Sequence, residues 1–427
     1  MSSLALLGGN AVASHDWPRW PQPGERALPL LADVLNSGRW TVSCPSRGVP
    51  SYEQRFAEAY ARFCQARFCI PTASGTASLA IALEACGVGA GDEVIVPGLS
   101  WVASASAVLG INAVPVLVDV DPASYCVDPA AVKGAITSRT RAITLVHAYS
   151  AIADVDALAA VASDSGLPLV EDCAHAHGAR FQDRPVGLSG AAGAFSMQGS
   201  KLLTSGEGGA IVTDDAEIAN RAEHLRADGR TRSRGTVPAG QMELIETAEL
   251  MGSNACLSEF HAAVLLDQLD LLEAQNATRA AAAQQLTERL AGLGLRAQQT
   301  SPGTTRRTYY RYTVQVPDEA LSIAPLPRLA EAISAELGFP VTPTYPPLND
   351  NPLHRPSSRR RFAADPDYLL RVSPAQFPLP AAKHIHDSVL TIGHEVLLAE
   401  PEHIEEIALA VEKVLANISQ LARRQPA

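Results

Sequence analysis

Lys201 lies in a run of small residues, Gly193 to Asp214, whose only other charges are Glu207 and Asp214. The chain has four lysines against 30 arginines, so a lysine kept at such a place invites explanation. Arginine is fixed in its charge, whereas lysine can offer a neutral amine. That makes Lys201 a candidate for Schiff-base chemistry. Taken alone, the window also fits a surface lysine in a glycine turn, and other residues have to decide. Ser74-Gly75-Thr76 offers bare amides and two hydroxyls where a helix begins, a geometry that cradles phosphate. Asp172, at the end of the apolar run Leu169-Val170, could hold a basic ring nitrogen protonated through a charge-assisted bond. Trp101 is either a core aromatic or a flat partner for a flat ligand. Ser196, five residues before Lys201, adds a hydroxyl. A lysine amine, a buried acid, an aromatic plane and a Ser/Thr/Gly cradle are together the residue set that holds pyridoxal 5′-phosphate.

Those residues need elements to place them. Short apolar runs at 68–71, 93–96, 114–120, 142–147, 169–172, 193–196 and 209–213 read as strands, mostly separated by helical segments. Continuous apolar strands alternating with helices predict a mainly parallel sheet buried on both faces, here of seven strands. Ligands of such sheets bind beyond the carboxyl ends of the strands. Ser74-Gly75-Thr76, Trp101, His147 to Tyr149, Asp172 to His175, Ser196 and Lys201 all fall just after predicted strands. The spacing predicts helices over 51–64, 77–86, 103–109 and 154–165, a long one over 256–295 that bridges two units, and a last one over 401–421. Residues 230–241 read as a basic Gly/Pro-containing loop, and 309–316 and 340–342 as strands of a second, α+β unit. The predicted division is an N-terminal arm over 1–25, extended and laid on a partner, a large cofactor-binding domain over 26–280, and a small C-terminal α+β domain over 281–427.

Composition bounds the class. At 47% hydrophobic and 19% charged residues the chain is globular, with no apolar run of membrane-spanning length. The formal charge of −11 argues against nucleic acid as a partner. Seven cysteines without Cys-x-x-Cys spacing suit reduced thiols in a cytoplasm and give no metal site. The first nine residues lack the pattern of a signal peptide.

Longer motifs add a resemblance. Pro71 to Leu79, Asp92 to Pro97, Glu171 to Ala179, Phe195-Ser196 through Lys201 to Gly209, and Gly252-Ser253-Asn254 with Leu257-Ser258-Glu259 resemble the fold-type I sugar aminotransferases of the DegT/StrS group. Arg39-Trp40, Ser51 to Phe56, Met251 to Asn254 and Leu265 to Leu269 look like the members that aminate keto-cyclitols such as 2-deoxy-scyllo-inosose in aminoglycoside biosynthesis. The resemblance implies a fold-type I aminotransferase acting as a homodimer with shared active sites. Lys201 would be the Schiff-base lysine and proton carrier, Asp172 the partner of the pyridine nitrogen, and Ser74, Gly75, Thr76 and Ser196 the phosphate site. Trp101 would stack on the ring, and Asn254 would reach the cofactor phosphate of the neighbouring subunit. His175 stands where the group more often has glutamine, near the phenolic oxygen, and a neutral imidazole of the right tautomer can give the same hydrogen bond.

The amino donor implied is L-glutamine and the acceptor a hydroxyl-rich ring ketone, with His147, Tyr345, Asn349 and His394 offering polar contacts. Two departures, Gly393 and Ala148, hint at extra room. A 3-keto sugar on an aminoglycoside pseudo-oligosaccharide, or a nucleotide-linked keto-sugar, is therefore the alternative acceptor. A PLP-binding homologue without catalysis is the alternative from another class. A nicotinamide dehydrogenase would need Gly-x-Gly-x-x-Gly after the first strand, which Ser74-Gly75-Thr76 does not supply.

Overall fold

The computed structural model describes residues 3–233 and 237–422, so residues 234–236 of the expected basic loop lie outside the described residues. Its centre is a sheet of seven strands: β1 (Phe68–Thr72), β2 (Glu93–Pro97), β3 (Val114–Val118), β4 (Thr140–Val146), β5 (Leu169–Asp172), β6 (Ala192–Ser196) and β7 (Gly209–Thr213). Their order is β1-β7-β6-β5-β4-β2-β3. The neighbours from β3 to β6 run parallel, and β7 lies antiparallel between β6 and β1. Every residue of β2, β5, β6 and β7 is buried. A strand such as Val94-Ile95-Val96 has no polar face because helices cover both sides, each such side chain contributing roughly 1.5–3 kcal/mol on burial.

Helices α1 (Ala27–Ser37), α2 (Tyr52–Cys64), α3 (Gly75–Ala85), α4 (Ala103–Gly110), α5 (Pro129–Ala135), α6 (Val155–Asp164) and α7 (Ala216–Arg226) accompany that sheet. Side-chain oxygens of Ser51, Ser74 and Asp154 accept first-turn amides and fix where α2, α3 and α6 start. Part of the expected basic loop is a hairpin, β8 (Arg230–Arg232) against β9 (Leu244–Glu246). Its base is tied down by buried charge. Arg226 and Arg232 both contact the fully buried Glu53, and Arg39 pairs with Glu243 at 2.7 Å.

Helix α8 (Glu259–Ala291) runs 33 residues, roughly 50 Å. Leu265 and Leu272 face the large-sheet core, while Ala283, Leu286 and Leu290 face a second core. That second core covers a four-stranded sheet in the order β10 (Arg296–Ala297), β11 (Arg311–Gln315), β13 (Val389–Gly393), β12 (Val341–Pro343). Helices α9 (Leu326–Leu337) and α10 (Pro401–Ala416) close it.

The N-terminal arm lies along the chain's own second unit: Leu4 is fully buried there, the amides of Val12 and Ala13 donate to the Glu336 carbonyl, and Trp17 Nε1 donates to the Leu337 carbonyl at 2.7 Å. Trp20 then reaches across to Arg279 and His394. A Pro/Trp-rich segment has to cover its rings somewhere, and the sequence does not say on which surface.

Candidate active site

The seven-stranded sheet brings its strand ends into one row. Thr72 of β1 and Ser196 of β6 both pair with Gly209 of β7, so the turn that begins α3 comes against Ser196. The approach is close enough to demand glycine. A Cβ on Gly75 would sit 2.4 Å from the Ser196 Cβ, and one on Gly209 would sit 2.6 Å from the Ser74 carbonyl oxygen. Ser74 caps α3 through Ala77 N at 3.2 Å, and the first-turn amides of Gly75 and Thr76 begin the helix beside Ser196.

A cavity of about 390 Å³ opens over this row. Ser74, Gly75, Thr76, Trp101, Asp172, His175, Ser196, Lys201 and Tyr345 line it together, with Gln198, Ser200, Tyr310 and Arg311. The buried Lys201 side chain follows a tight turn, Lys201 N donating to the Gln198 carbonyl, and its Nζ lies 4.2 Å from the centre of the Tyr310 ring. Burial pushes the Lys201 ammonium below its usual value, with Arg311 adding to the effect, while Tyr310 and Asp172 oppose it. Asp172 accepts from Ser104 Oγ at 3.0 Å and Ala174 N at 3.1 Å. Burial still raises its carboxyl, so the acid is short of a cationic donor that a protonated ring nitrogen would supply. Trp101 stands at the mouth, 45% exposed, its ring 5.5 Å from Tyr345.

His175 has its tautomer set by the backbone. Tyr149 N donates to its Nδ1 at 3.2 Å, leaving the proton on Nε2, and the ring stacks on Tyr310 at 4.0 Å. Burial, and behind it Lys201 and Arg311, hold this imidazole neutral, well below its usual pKa.

Other expected site residues lie elsewhere. His147 is buried outside the cavity: it accepts from Ala153 N at Nδ1 and meets Glu171 at 3.1 Å through Nε2. Glu171 also takes the amides of Gly187, Ser189 and Gly190. With Cys173 these two form a group whose ligand atoms lie within 4.8 Å of one another, but His147 and Glu171 are already spent on holding the turn before β6. Asn349 is occupied as well, donating to the Phe377 carbonyl at 2.9 Å. Asn254 is exposed, bridged through its backbone to Ala227, and does not line the cavity.

His394 lines a neighbouring compartment of about 270 Å³, with Trp20, Ser200, Tyr310, Arg311, Gly393 and Glu395. Its Nε2 meets the Ser200 carbonyl at 3.0 Å and so carries the proton. Gly393 lines this compartment as well, and a side chain there would first have to displace the Glu395 carboxylate, which lies 2.4 Å from where a Cβ would be. Ala148 is buried away from the cavity and its carbonyl accepts from Gln298.

Sequence reasoning passed over Tyr310 and Arg311. The run Tyr309-Tyr310-Arg311-Tyr312 reads as a strand of the second unit, and its polar tips at the edge of an otherwise apolar strand were the one signal available.

Comparison with known proteins settles the family. The DegT/DnrJ/EryC1/StrS aminotransferase family model matches residues 21–409. The chain belongs to this family. As a DegT-family aminotransferase it is 68% identical to the L-glutamine:scyllo-inosose aminotransferase of Streptomyces griseus, across 99% of this chain and 100% of that one. It is 55% identical to the L-glutamine:2-deoxy-scyllo-inosose aminotransferase of Streptomyces fradiae, with the same coverage. Among solved structures, 3-amino-5-hydroxybenzoic acid synthase superposes with a TM-score of 0.77 at 30% identity, over 95% of this chain and 100% of that one. The fold-type I architecture and the aminotransferase assignment expected from the motifs therefore hold.

Proposed function

We propose that this aminotransferase moves the amino group of L-glutamine to the ring ketone of scyllo-inosose or its 2-deoxy analogue, in aminoglycoside biosynthesis, with pyridoxal 5′-phosphate as cofactor. The observation that carries the substrate reading is the 68% identity to the Streptomyces griseus enzyme across 99% of this chain. The cavity fits the cofactor: a glycine-tight cradle, a buried acid short of a cationic partner, a buried lysine and an indole plane share one space.

Bound there, the cofactor would supply an electron sink that makes the hydrogen on the amine-bearing carbon acidic. In this reading Lys201 would anchor it and, as a neutral amine, would take the proton from the donor's amine-bearing carbon and give it back. Burial favours that role, because it keeps the neutral amine accessible. Asp172 holds the ring nitrogen protonated, and Gly75, Thr76, Ser74 and Ser196 hold the phosphate. Trp101 lies against the ring and His175 gives Nε2–H to the phenolic oxygen. Asn254, exposed on the surface, serves the site of a neighbouring subunit in a homodimer. Tyr345 offers its phenol to the hydroxyls of the ketone. His147 has no part in binding in this reading, since both its ring nitrogens are engaged, and the Asn349 side-chain nitrogen is given to the Phe377 carbonyl.

The test converts the enzyme to its aminated form with L-glutamine and records which ketone restores the original absorbance. Both free inososes should do so quickly. A response only to oxidised pseudo-oligosaccharides or to nucleotide-linked keto sugars would overturn the substrate reading.

A further inference from the structure

Two cations face the main cavity, Lys201 and Arg311. Other buried arginines are matched by acids, Arg39 by Glu243 and Arg226 by Glu53. Arg279, which has no such acid, rests on the face of Trp20 at 4.9 Å. Arg311 is different. Among the described residues no carboxylate stands within ion-pair distance of it, and its polar neighbours are the phenols of Tyr310, Tyr345 and Tyr149. It opens β11, is partly buried, and lines both the main cavity and the neighbouring compartment.

The acceptor proposed above is neutral and needs no counter-charge. The donor is an amino acid, and its carboxylate does. Both cations are measured against one ring: Lys201 Nζ is 4.2 Å and the Arg311 guanidinium carbon 5.7 Å from the centre of Tyr310, so they stand within about 10 Å of each other. An α-amino acid whose nitrogen takes the place of Nζ reaches roughly 6 Å through its carboxylate and one charge-assisted bond, a span that this upper bound admits. Arginine suits the task because its planar fork meets a carboxylate through two parallel bonds.

We propose that Arg311 is the residue that receives the α-carboxylate of the amino donor, selecting an amino acid over a simple amine. This rests on the aminotransferase reading above and adds to it the feature of the donor that the site reads. Tyr310 and Tyr345, their hydroxyls 3.3 Å apart, keep the guanidinium in place while the neutral ketone occupies the site. The Tyr310 hydroxyl is pulled down to about 8, against its burial, chiefly by Lys201 and then by Arg311.

The test uses the holoenzyme and its Arg311→Gln and Arg311→Lys variants. L-glutamine is compared with L-glutaminamide, which keeps the amine and side chain but replaces the carboxylate by a neutral amide. The wild type should prefer glutamine by roughly 10- to 100-fold in kcat/KM, the scale of a hydrogen bond to a charged group. Arg311→Gln should bring that preference to within about threefold and Arg311→Lys should keep part of it, while the ketone half-reaction changes far less. Calorimetric binding of glutaramate against glutaramide, neither of which has an amine to give, reads the same contact without turnover. A preference for glutamine that survives in Arg311→Gln, or a ketone half-reaction that falls as far as the glutamine one, overturns the proposal. Arg311-dependent glutaramate binding in a protein that transfers no amine would instead leave the carboxylate site standing and remove the aminotransferase reaction.

Discussion

The two walls of the cavity are built differently. The wall proposed above to hold the cofactor comes from the ends of neighbouring strands in one sheet, where Thr72, Gly209 and Ser196 stand in a single row. The opposite wall comes from Tyr310, Arg311 and Tyr345 of the second unit, with no shared register among them and with other duties close by. Topology dictates the first wall, because a parallel sheet offers its ligand-binding edge at one end only. Packing dictates the second, and a polar residue near it is as readily consumed by the fold as offered to a substrate.

The largest effect should come from the acid of the cofactor wall. Asp172→Ala should lower kcat by roughly 100- to 1000-fold, the scale seen when one electrostatic partner of a reacting centre is removed. A tenfold effect or less would say that the ring nitrogen does not depend on it. Next, Gly75→Ala forces a methyl to 2.4 Å from the Ser196 Cβ. Overpacking of this kind costs about 1–3 kcal/mol, so cofactor affinity measured by absorbance titration should fall roughly 5- to 100-fold. Wild-type affinity would break the idea of a glycine-tight cradle.

This difference between the walls also decides what could be read from the sequence. Lys201, Asp172, Ser74-Gly75-Thr76, Ser196 and Trp101 each follow an apolar run, and a rule about strand ends was enough to gather them into one cavity. His147 follows a strand too, yet its ring is turned into the knot with Glu171, which only the packing of the Gly187 turn explains. Asn349 looked like a substrate contact because it is polar and near Tyr345, but its amide ties down the Phe377 carbonyl. Gly393 suggested open space, and it lines a compartment beside the main cavity, shared with Trp20 and His394. The arm over residues 1–25 needed a surface for its rings, and which surface depended on contacts more than 300 residues away in sequence, such as Trp17 with Leu337.

On the second wall smaller effects should separate true contacts from structural ones. Tyr345→Phe should raise the KM for the inosose by about two- to tenfold, as for one hydrogen bond. Asn349→Ala should leave that KM within twofold and lower the melting temperature instead. The opposite pattern would show that the Asn349 amide turns toward the substrate.

An acid effect on stability, not on turnover, should be shared by both sides of the cavity. His177, which contacts the Ser196 carbonyl at 2.8 Å on the cofactor side, is pushed down by burial to about 4. His394 on the other side is likewise pushed well below 6.5. Because the folded chain resists protonating these rings, the unfolded chain binds more protons between about 4 and 6.5, and stability falls as pH drops through that window. His177 alone accounts for about 3 kcal/mol at most, at about 1.4 kcal/mol per pKa unit. Denaturant midpoints measured between pH 4 and 7 should decline toward acid, with a flatter slope in His177→Gln. An unchanged slope in that variant would mean that His177 does not stay neutral.

The most direct measurement of the central claim is to find where the cofactor is attached. The protein is saturated with pyridoxal 5′-phosphate, reduced with borohydride, digested and mapped by mass spectrometry. With four lysines in the chain the answer is unambiguous. The account predicts a single modified peptide carrying the pyridoxyl group on Lys201. Label on Lys133, Lys383 or Lys413, or no label in a fully saturated protein, would contradict it.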